Sequence, residues 1–552
     1  MNSIFNFLTH PNKKIFLNLL PSFFIFLIFL IFFIIGVNVY KDYGISFDEY
    51  YHRENGKLYY YFLKGLFINL DLSERVFISD IKTAIQDTPF TMPAIFDMIA
   101  ESYIDLKNIT AIEEIFFVRH FLNFLFFFTA CYLFYLILAK RFENRVYAYL
   151  GVFFLFFSPR FFAESFYNNK DIIFLSVTII FLFFSIKFFE NKSYSNSFFF
   201  GIFSALALVI RLPAILYIFA TYLMFFLQSM DDKKFISTNY KFLITSVFTT
   251  IVFVYIFWPY LWIDPVNHLV NFFKVAKNVM PNGQNYYLGE YFQYKDSPWH
   301  YDLIWILLTI PISIAFFFTI GFFKTLINAI KNLLSVDQKN HKFWKSNNEM
   351  FNYYFLIIVL LVLIIKIKFG VSYDGWRQIY FLYPFIILIA LDVIYYINSK
   401  LKFRIIRNAI FLGLFLEIFF LTFWIYKYHP HQYVFFNPLF KNLVSEKIEL
   451  DYWGLSNRSS LEFIARSDDR NEIKIAAISF TSLENTLRIM SENDRKKFLV
   501  VHDLYRADYA IDNYRKKWNK TPGINLLKTK FKKIYDLKVD GNIINSVYKG
   551  EN

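Results

Sequence analysis

Cysteine is almost absent from this chain. Cys131 is the one such residue in 552. It lies inside an apolar run, so no disulfide and no cysteine metal cluster can form within one chain, and the thiol reads as a packing residue. Charge is scarce too. Asp, Glu, Lys and Arg together make up 18% of the chain, against 56% hydrophobic and 23% aromatic residues, with a mean hydropathy of +0.37. A soluble fold has nowhere to bury so much apolar surface with so little charge. Nucleotide-cradling and zinc-protease signatures are missing as well: there is no P-loop, no GxGxxG and no HExxH. No repeat of fixed period occurs. The first apolar run is long and has no small-residue cleavage site, so it reads as a retained helix and not a signal peptide.

What the sequence does have is a succession of apolar runs of membrane-spanning length. They fall at roughly 15–40, 115–139, 146–158, 172–189, 196–210, 212–228, 242–261, 302–324, 351–368, 378–396 and 408–426. The fold expected is an all-α polytopic membrane domain of about eleven transmembrane helices over 1–440, followed by a small α/β domain over 441–552. Two spans are doubtful: 146–158 is short, and 196–228 is one long helix unless it breaks at "RLP", 211–213. Net charge is +14. The basic residues gather in short connections, "NKK", "AKRFENR", "DDKK", "KNHKFWK" and "KLKFRIIR". They therefore read as topology signals and not as a nucleic-acid surface, and they place the N-terminus in the cytoplasm. The loops 41–114, 159–171, 262–301 and 369–377, with everything after 427, then lie outside. The loop 41–114 is acidic, broken at Pro89 and Pro93, and aromatic enough to lie in the interface. In the tail, "EIKIAAISF" and "KFLVV" read as strands, and "KKIYDLKVDGNIINSVYKG" as a hairpin turning at Asp540-Gly541.

Five polar constellations stand on the outer side. Asp48-Glu49 in "ISFDEYYH" follows the first span. It reads either as a solvated helix cap or as a general base whose pKa a half-desolvated interface would tune. Phe47, Tyr50, Tyr51, Leu58, Tyr61 and Phe62 recur at helical spacing and would float that helix at headgroup level. The second is "SPRFFAESFYNNKDIIF", 158–174, with Arg160, Glu164, Lys170 and Asp171: a polar turn, or a seat for an anionic headgroup. Arg211 is flanked by apolar sequence, which is costly unless it snorkels or meets an anion. Glu417 in "LGLFLEIFF" raises the same question and pairs with a neighbouring helix on the plainer reading. Arg377 in "SYDGWRQIYFLYP" is an interface anchor or a phosphate ligand. His429 and His431, at i and i+2, are weak evidence for metal.

Taken in order, "ISFDEYYH", "SPRFFAESFYNNKD", "RLP", "SPWHYDLIWILLTIP", "YDGWRQIYFLYP" and "HPHQYVFFNPL…ELDYWGLS" resemble the membrane glycosyltransferases of the GT-C fold, glycosyltransferase family 39. That family includes protein O-mannosyltransferases and the aminoarabinose transferases that modify lipid A. The resemblance implies a polyprenyl-phosphate-sugar donor, a glycan, lipid or protein acceptor, membrane lipids as surroundings and no nucleic acid. It implies inversion at the anomeric carbon in a bacterial inner membrane, with the C-terminal domain outside. Asp48 matches the family's proposed base and Glu49 its variable neighbour. Glu164 and Asp171 both fit the second-loop acid. A donor phosphate would fall to Arg160, Lys170, Arg211, His300 and Arg377. No cofactor is called for; a divalent metal is compatible but no ligand set fixes one. The competing classes are a transporter of lipid-linked sugars or small solutes, which favours repeated halves with broken helices, and an O-antigen polymerase or ligase.

Overall fold

The computed structural model describes residues 13–67, 95–142, 144–232, 234–278, 283–335, 343–444, 447–479, 481–515 and 530–551. Pro89 and Pro93, Asn12 of "NKK" and the first residues of "KNHKFWK" lie outside them. Among the described residues seven helices are long and apolar enough to cross a bilayer. In chain order these are α4 (Ile112–Arg141), α7 (Asp171–Glu190), α10 (Phe235–Phe257), α13 (Ile312–Leu334), α14 (Asn347–Phe369), α15 (Tyr383–Lys400, entered through a 3-10 turn from Arg377) and α16 (Arg404–Lys427). Three further helices carry shorter apolar stretches: α1 (Lys13–Val39) over Phe23–Val39, α8 (Tyr194–Ile210) along its length, and α9 (Ala214–Asp231) over Ala214–Ser229. The bundle is that of a polytopic membrane protein.

Two expected features differ in detail. The segment 159–171, read above as an outer loop, instead carries a buried helix, α6 (Pro159–Tyr167), bent by 61° from α5 (Val146–Phe156). Pro159 occupies the first helical turn, where its missing N–H costs nothing. The run 302–324 is interrupted at Pro311 into α12 (Tyr301–Thr309) and α13, and the apolar helix continues to Leu334. Glu417 of α16 accepts from the half-buried Ser313 amide at the start of α13, at 3.2 Å. A carboxylate from a neighbouring helix therefore satisfies one of the orphan N–H groups left by that break. The break at "RLP" is present: Arg211 is extended, and Pro213 opens α9.

Small residues let α8 and α10 approach closely. A Cβ on Gly201 of α8 would stand 2.8 Å from the Ser246 carbonyl and 2.6 Å from the Thr249 Cβ on α10. Close approach through small residues is the main packing device available in lipid, where apolar side chains gain little by leaving the hydrocarbon.

Between α1 and α4 lie two amphipathic helices, α2 (Glu49–Phe67) and α3 (Ile95–Leu106). Tyr59 and Phe62 of α2 bury themselves among Trp258, Tyr260 and Phe272, while Tyr51 stays exposed. After α10, α11 (Pro265–Asn278) leads to a hairpin, β1 (Gln284–Tyr287) and β2 (Glu290–Gln293).

After α17 (Ser456–Ser467) comes a five-stranded sheet in the order β4-β3-β5-β7-β6, formed by β3 (Ile473–Ala477), β4 (Phe498–Val500), β5 (Tyr509–Asp512), β6 (Phe531–Val539) and β7 (Asn542–Gly550). β3 is parallel to β4 and β5, and the β6–β7 hairpin adds antiparallel to β5. The hairpin turns at Asp540-Gly541, both at positive φ (48° and 84°), as a two-residue turn of right-handed strands requires. Leu461 and Ile464 of α17 cover Ile473, Ile475, Ile511 and Val547. The approach to this sheet is not a free linker: Val444, Ile448, Tyr452, Trp453 and Leu455 belong to the same apolar cluster as the helices.

Replacing Gly201 with alanine is expected to cost about 1–3 kcal/mol by overpacking. A lower unfolding temperature of the detergent-solubilised protein checks this; an unchanged one removes Gly201 as the contact that sets the α8–α10 distance.

Candidate functional site

Four chain segments meet at one end of the bundle. The peptide leaving α1 brings Asp48. The turn between α6 and α7 brings Lys170 and Asp171, the break between α8 and α9 brings Arg211, and the turn into α15 brings Asp374 and Arg377. Arg377 lies at their centre. Its Nη1 donates to Asp48 at 3.1 Å and to Asp171 at 3.3 Å, and its Nη2 to Asp374 at 3.1 Å. The guanidinium lies 4.6 Å from the Trp453 ring and 5.1 Å from that of Tyr373. Arg211 grips the other oxygen of Asp171 at 2.6 Å. Arg515, from beyond β5, donates to the other oxygen of Asp374 at 3.1 Å.

These carboxylates differ in access. The Asp171 side chain is 0% exposed and that of Asp374 6%, whereas Asp48 retains 29%. Burial pushes the Asp48 carboxyl up, but Arg377, followed by His52, Lys170 and Arg515, outweighs burial and holds it below its ordinary value. It is therefore an ionised, reachable proton acceptor at neutral pH. Lys170 makes no ion pair within the described residues. Burial, then Arg211, lowers its ammonium to about 8, with Asp171 and Asp48 opposing.

The backbone around Asp48 is pinned from distant parts of the chain. The Phe47 amide donates to the Trp453 carbonyl at 3.1 Å, and the Ser46 hydroxyl to the Tyr167 carbonyl at 3.3 Å. Arg458 donates to the carbonyls of Lys41 and Tyr43. Tyr43 stacks on Phe166 with ring centres 4.8 Å apart. The tyrosines nearest the acid pair thus serve unlike ends: Tyr43 and Tyr59 are core, and Tyr51 faces outward.

The other expected site residues lie elsewhere. Glu49, adjacent in sequence, points into a closed network under α2 and α3. Arg119 of α4 there pairs with Asp97, with Glu101 at 3.7 Å and with Glu49 at 3.8 Å, while His120 meets Glu49 at 3.3 Å. Arg53 bonds Glu101 at 2.8 Å, and Asn169 donates to Asp97 at 2.6 Å. Glu164 sits one layer below the cluster, accepting from Asn168 at 2.7 Å and Tyr380 at 2.9 Å. Asn168 also donates to Asp171 at 3.1 Å. Arg160 is buried against Trp305 and Phe436 and donates to the Tyr452 hydroxyl and the Phe435 carbonyl. His300 bonds the Tyr287 hydroxyl at 2.9 Å and forms no ion pair with the cluster among the described residues. His429 meets Asp42 at 2.8 Å, and buried His431, whose ring burial lowers to about 3, bonds Ser459 at 3.2 Å. Among the described residues no group of three or more His, Cys, Asp or Glu side chains is arranged to hold a metal ion.

Sequence reasoning did not single out the Arg119 network or Arg515. Arg119-His120 interrupts an apolar run, and a charge there is a usable signal. Arg515 stands in the tail with no local pattern to mark it.

The family model for dolichyl-phosphate-mannose-protein mannosyltransferases matches residues 107–258. That stretch contains Arg119, Glu164, Lys170, Asp171 and Arg211 but neither Asp48 nor Arg377. No curated protein matches the chain. Two similar solved structures are of ArnT from Cupriavidus metallidurans. In the apo state it is 10% identical, with 94% of this chain and 97% of that chain covered and a TM-score of 0.47. Bound to undecaprenyl phosphate it is 11% identical, with 96% and 98% covered and a TM-score of 0.47.

The two adjacent acids are expected to respond oppositely to perturbation of their partners. Arg119→Ala strands buried carboxylates and should cost about 3–5 kcal/mol, read as loss of folded protein after extraction. Asp48→Asn leaves Arg377 two carboxylates and should shift stability by no more than about 1 kcal/mol. Equal losses for both variants would contradict this division.

Proposed function

We propose that the protein is a membrane glycosyltransferase that moves a sugar from a polyprenyl-phosphate donor to an acceptor hydroxyl on the outer face of the membrane, with inversion. The observation that carries this reading is a carboxylate both ionised and accessible, Asp48, held by a guanidinium beside an ammonium that makes no ion pair among the described residues, Lys170. The matched family model and the ordered motifs support the same chemistry.

The reaction needs little more than these groups. Asp48 accepts the proton of the acceptor hydroxyl. The acceptor oxygen forms a bond to the anomeric carbon as the bond from that carbon to the phosphate oxygen breaks. Polyprenyl phosphate leaves with the electron pair. Lys170 and Arg211 lie where the added negative charge would collect, and a cation fixed there before reaction stabilises the departing phosphate without reorganisation. Arg377 has a different task. Its fork is committed to three carboxylates, so it orients Asp48 and keeps it ionised, while Asp171 holds Arg211 in place. Glu164 steadies Asp171 through Asn168 and does not face the donor. Glu49, by the same logic, anchors α2 so that its neighbour faces the reactants.

Asp48→Asn should lower the turnover of polyprenyl-phosphate-sugar at least about 10²-fold, the lower end of general-base contributions. Donor affinity should change little. Transfer at the wild-type rate, measured with labelled donor and a membrane-extract acceptor, would remove Asp48 from this role.

The alkaline side of the pH profile belongs to Lys170. Its ammonium loses its proton through about pH 8, and the attraction for phosphate goes with it. Donor KM should therefore rise above pH 8. In Lys170→Arg, which stays charged, the rise should vanish; a limb that persists assigns it to another group.

A further inference from the structure

The charged cluster continues beyond Asp374, away from Lys170 and Arg211. Arg515 joins Asp374 at 3.1 Å and comes within 3.9 Å of Glu449. Glu449 is at the wall of a cavity of ≈ 360 Å³ at the seam between the β1–β2 hairpin and the C-terminal sheet. That volume falls in the range of small-molecule sites. Its sides include Tyr286 and Tyr291, Asn513 and Asn542, above a floor of isoleucine and leucine side chains.

Three properties narrow what the cavity takes. Tyr286 and Tyr291 are cross-strand partners with ring centres 4.8 Å apart and an interplanar angle of 38°, and Tyr291 is 45% exposed, so together they present a broad aromatic face. The Glu449 side chain is only 12% exposed and makes no hydrogen bond among the described residues beyond its distant contact with Arg515. Burial raises its carboxyl to about 7, against Arg515, with Asp374 and Asp451 adding to the rise. A nearly buried carboxyl without a donor is costly until a ligand supplies one. Finally, no lysine or arginine is among the described residues that line the cavity, which disfavours phosphate or another anion.

An aromatic platform beside a donor-seeking carboxyl and a primary amide, with no lysine or arginine among the described lining residues, suits a neutral or amino saccharide: C–H groups lie on the rings and hydroxyls reach the polar side chains. We propose that this seam cavity is the saccharide-binding subsite of the acceptor, with the sugar ring on Tyr291 and Tyr286 and its hydroxyls on Glu449 and Asn542. This deepens the transferase reading and rests on it for the word acceptor. Two contacts join the cavity wall to the Arg377 fork: Glu449 with Arg515, and Arg515 with Asp374, which Arg377 also holds.

The test is saturation-transfer NMR on the full chain in nanodiscs, without donor, using maltose, lactose and chitobiose as probes. At least one disaccharide should receive saturation, and Tyr291→Ala and Glu449→Gln should each weaken its binding about tenfold or more, while Tyr505→Ala, at an exposed ring outside the cavity, leaves it intact. Adding digalactosyl diacylglycerol to the nanodisc separates the two sources of such a sugar. Competition with the soluble probe assigns the subsite to a lipid-borne headgroup, and lack of competition to a free glycan. Failure of all the probes and the glycolipid to bind overturns the proposal, as does binding indifferent to both variants. Binding of a serine- and threonine-containing peptide with the same variant sensitivity, in place of the sugars, also overturns it. Because no donor is present, these outcomes are independent of whether Asp48 drives transfer: loss of the transferase reading leaves a sugar site standing, and loss of the sugar site leaves the base standing.

Discussion

One guanidinium organises this end of the molecule. Arg377 holds three carboxylates that come from three separate segments, and each of those segments enters or leaves a helix of the bundle. Buried charge at that density is tolerable only where every member has a partner. Arg211 and Arg515 supply the remaining pairings at the two flanks. The cluster therefore acts as a knot, in which the position of each helix end is set by the need to neutralise the others. Asp48 is the member with open space in front of it. In the proposed reaction its part as base follows from access as much as from acidity.

A second charged network stands beside the first. Glu49, Asp97 and Glu101 are gathered around Arg119, and Arg53 and His120 close the set. This network locks α2 and α3 to α4 without using any charged side chain of the Arg377 cluster. Asp48 and Glu49 look like a pair in the sequence, yet consecutive residues at a helix start point in different directions. One acid becomes part of the scaffold while the other faces the opening.

The apolar runs made the polytopic helical fold legible, because hydrocarbon thickness dictates their length. The tail hairpin was legible from Asp540-Gly541, whose backbone geometry only such residues adopt readily. The helix over 159–167 was not, since its charges read as loop until burial against Tyr380 and Tyr452 supplied partners. At the site, the segments carrying Asp48, Lys170, Asp171, Arg211 and Arg377 could be named because charges beside apolar spans are conspicuous. Their roles could not be separated, because the separation depends on partners: Arg160 and Glu164 share a motif with Lys170, but face inward. Arg515 is invisible in sequence, being drawn in across the fold from a segment with ordinary strand and loop composition.

The hydrogen bonds from the Phe47 amide to the Trp453 carbonyl, and from Arg458 to the carbonyls of Lys41 and Tyr43, tie an early segment of the polypeptide to a late one. During synthesis the first helix is in the membrane long before the ribosome reaches those residues. A nascent chain therefore carries the acid on an unfastened segment, with Arg515 still to be made. The charged cluster can close only when the last quarter of the chain has emerged and packed against the first.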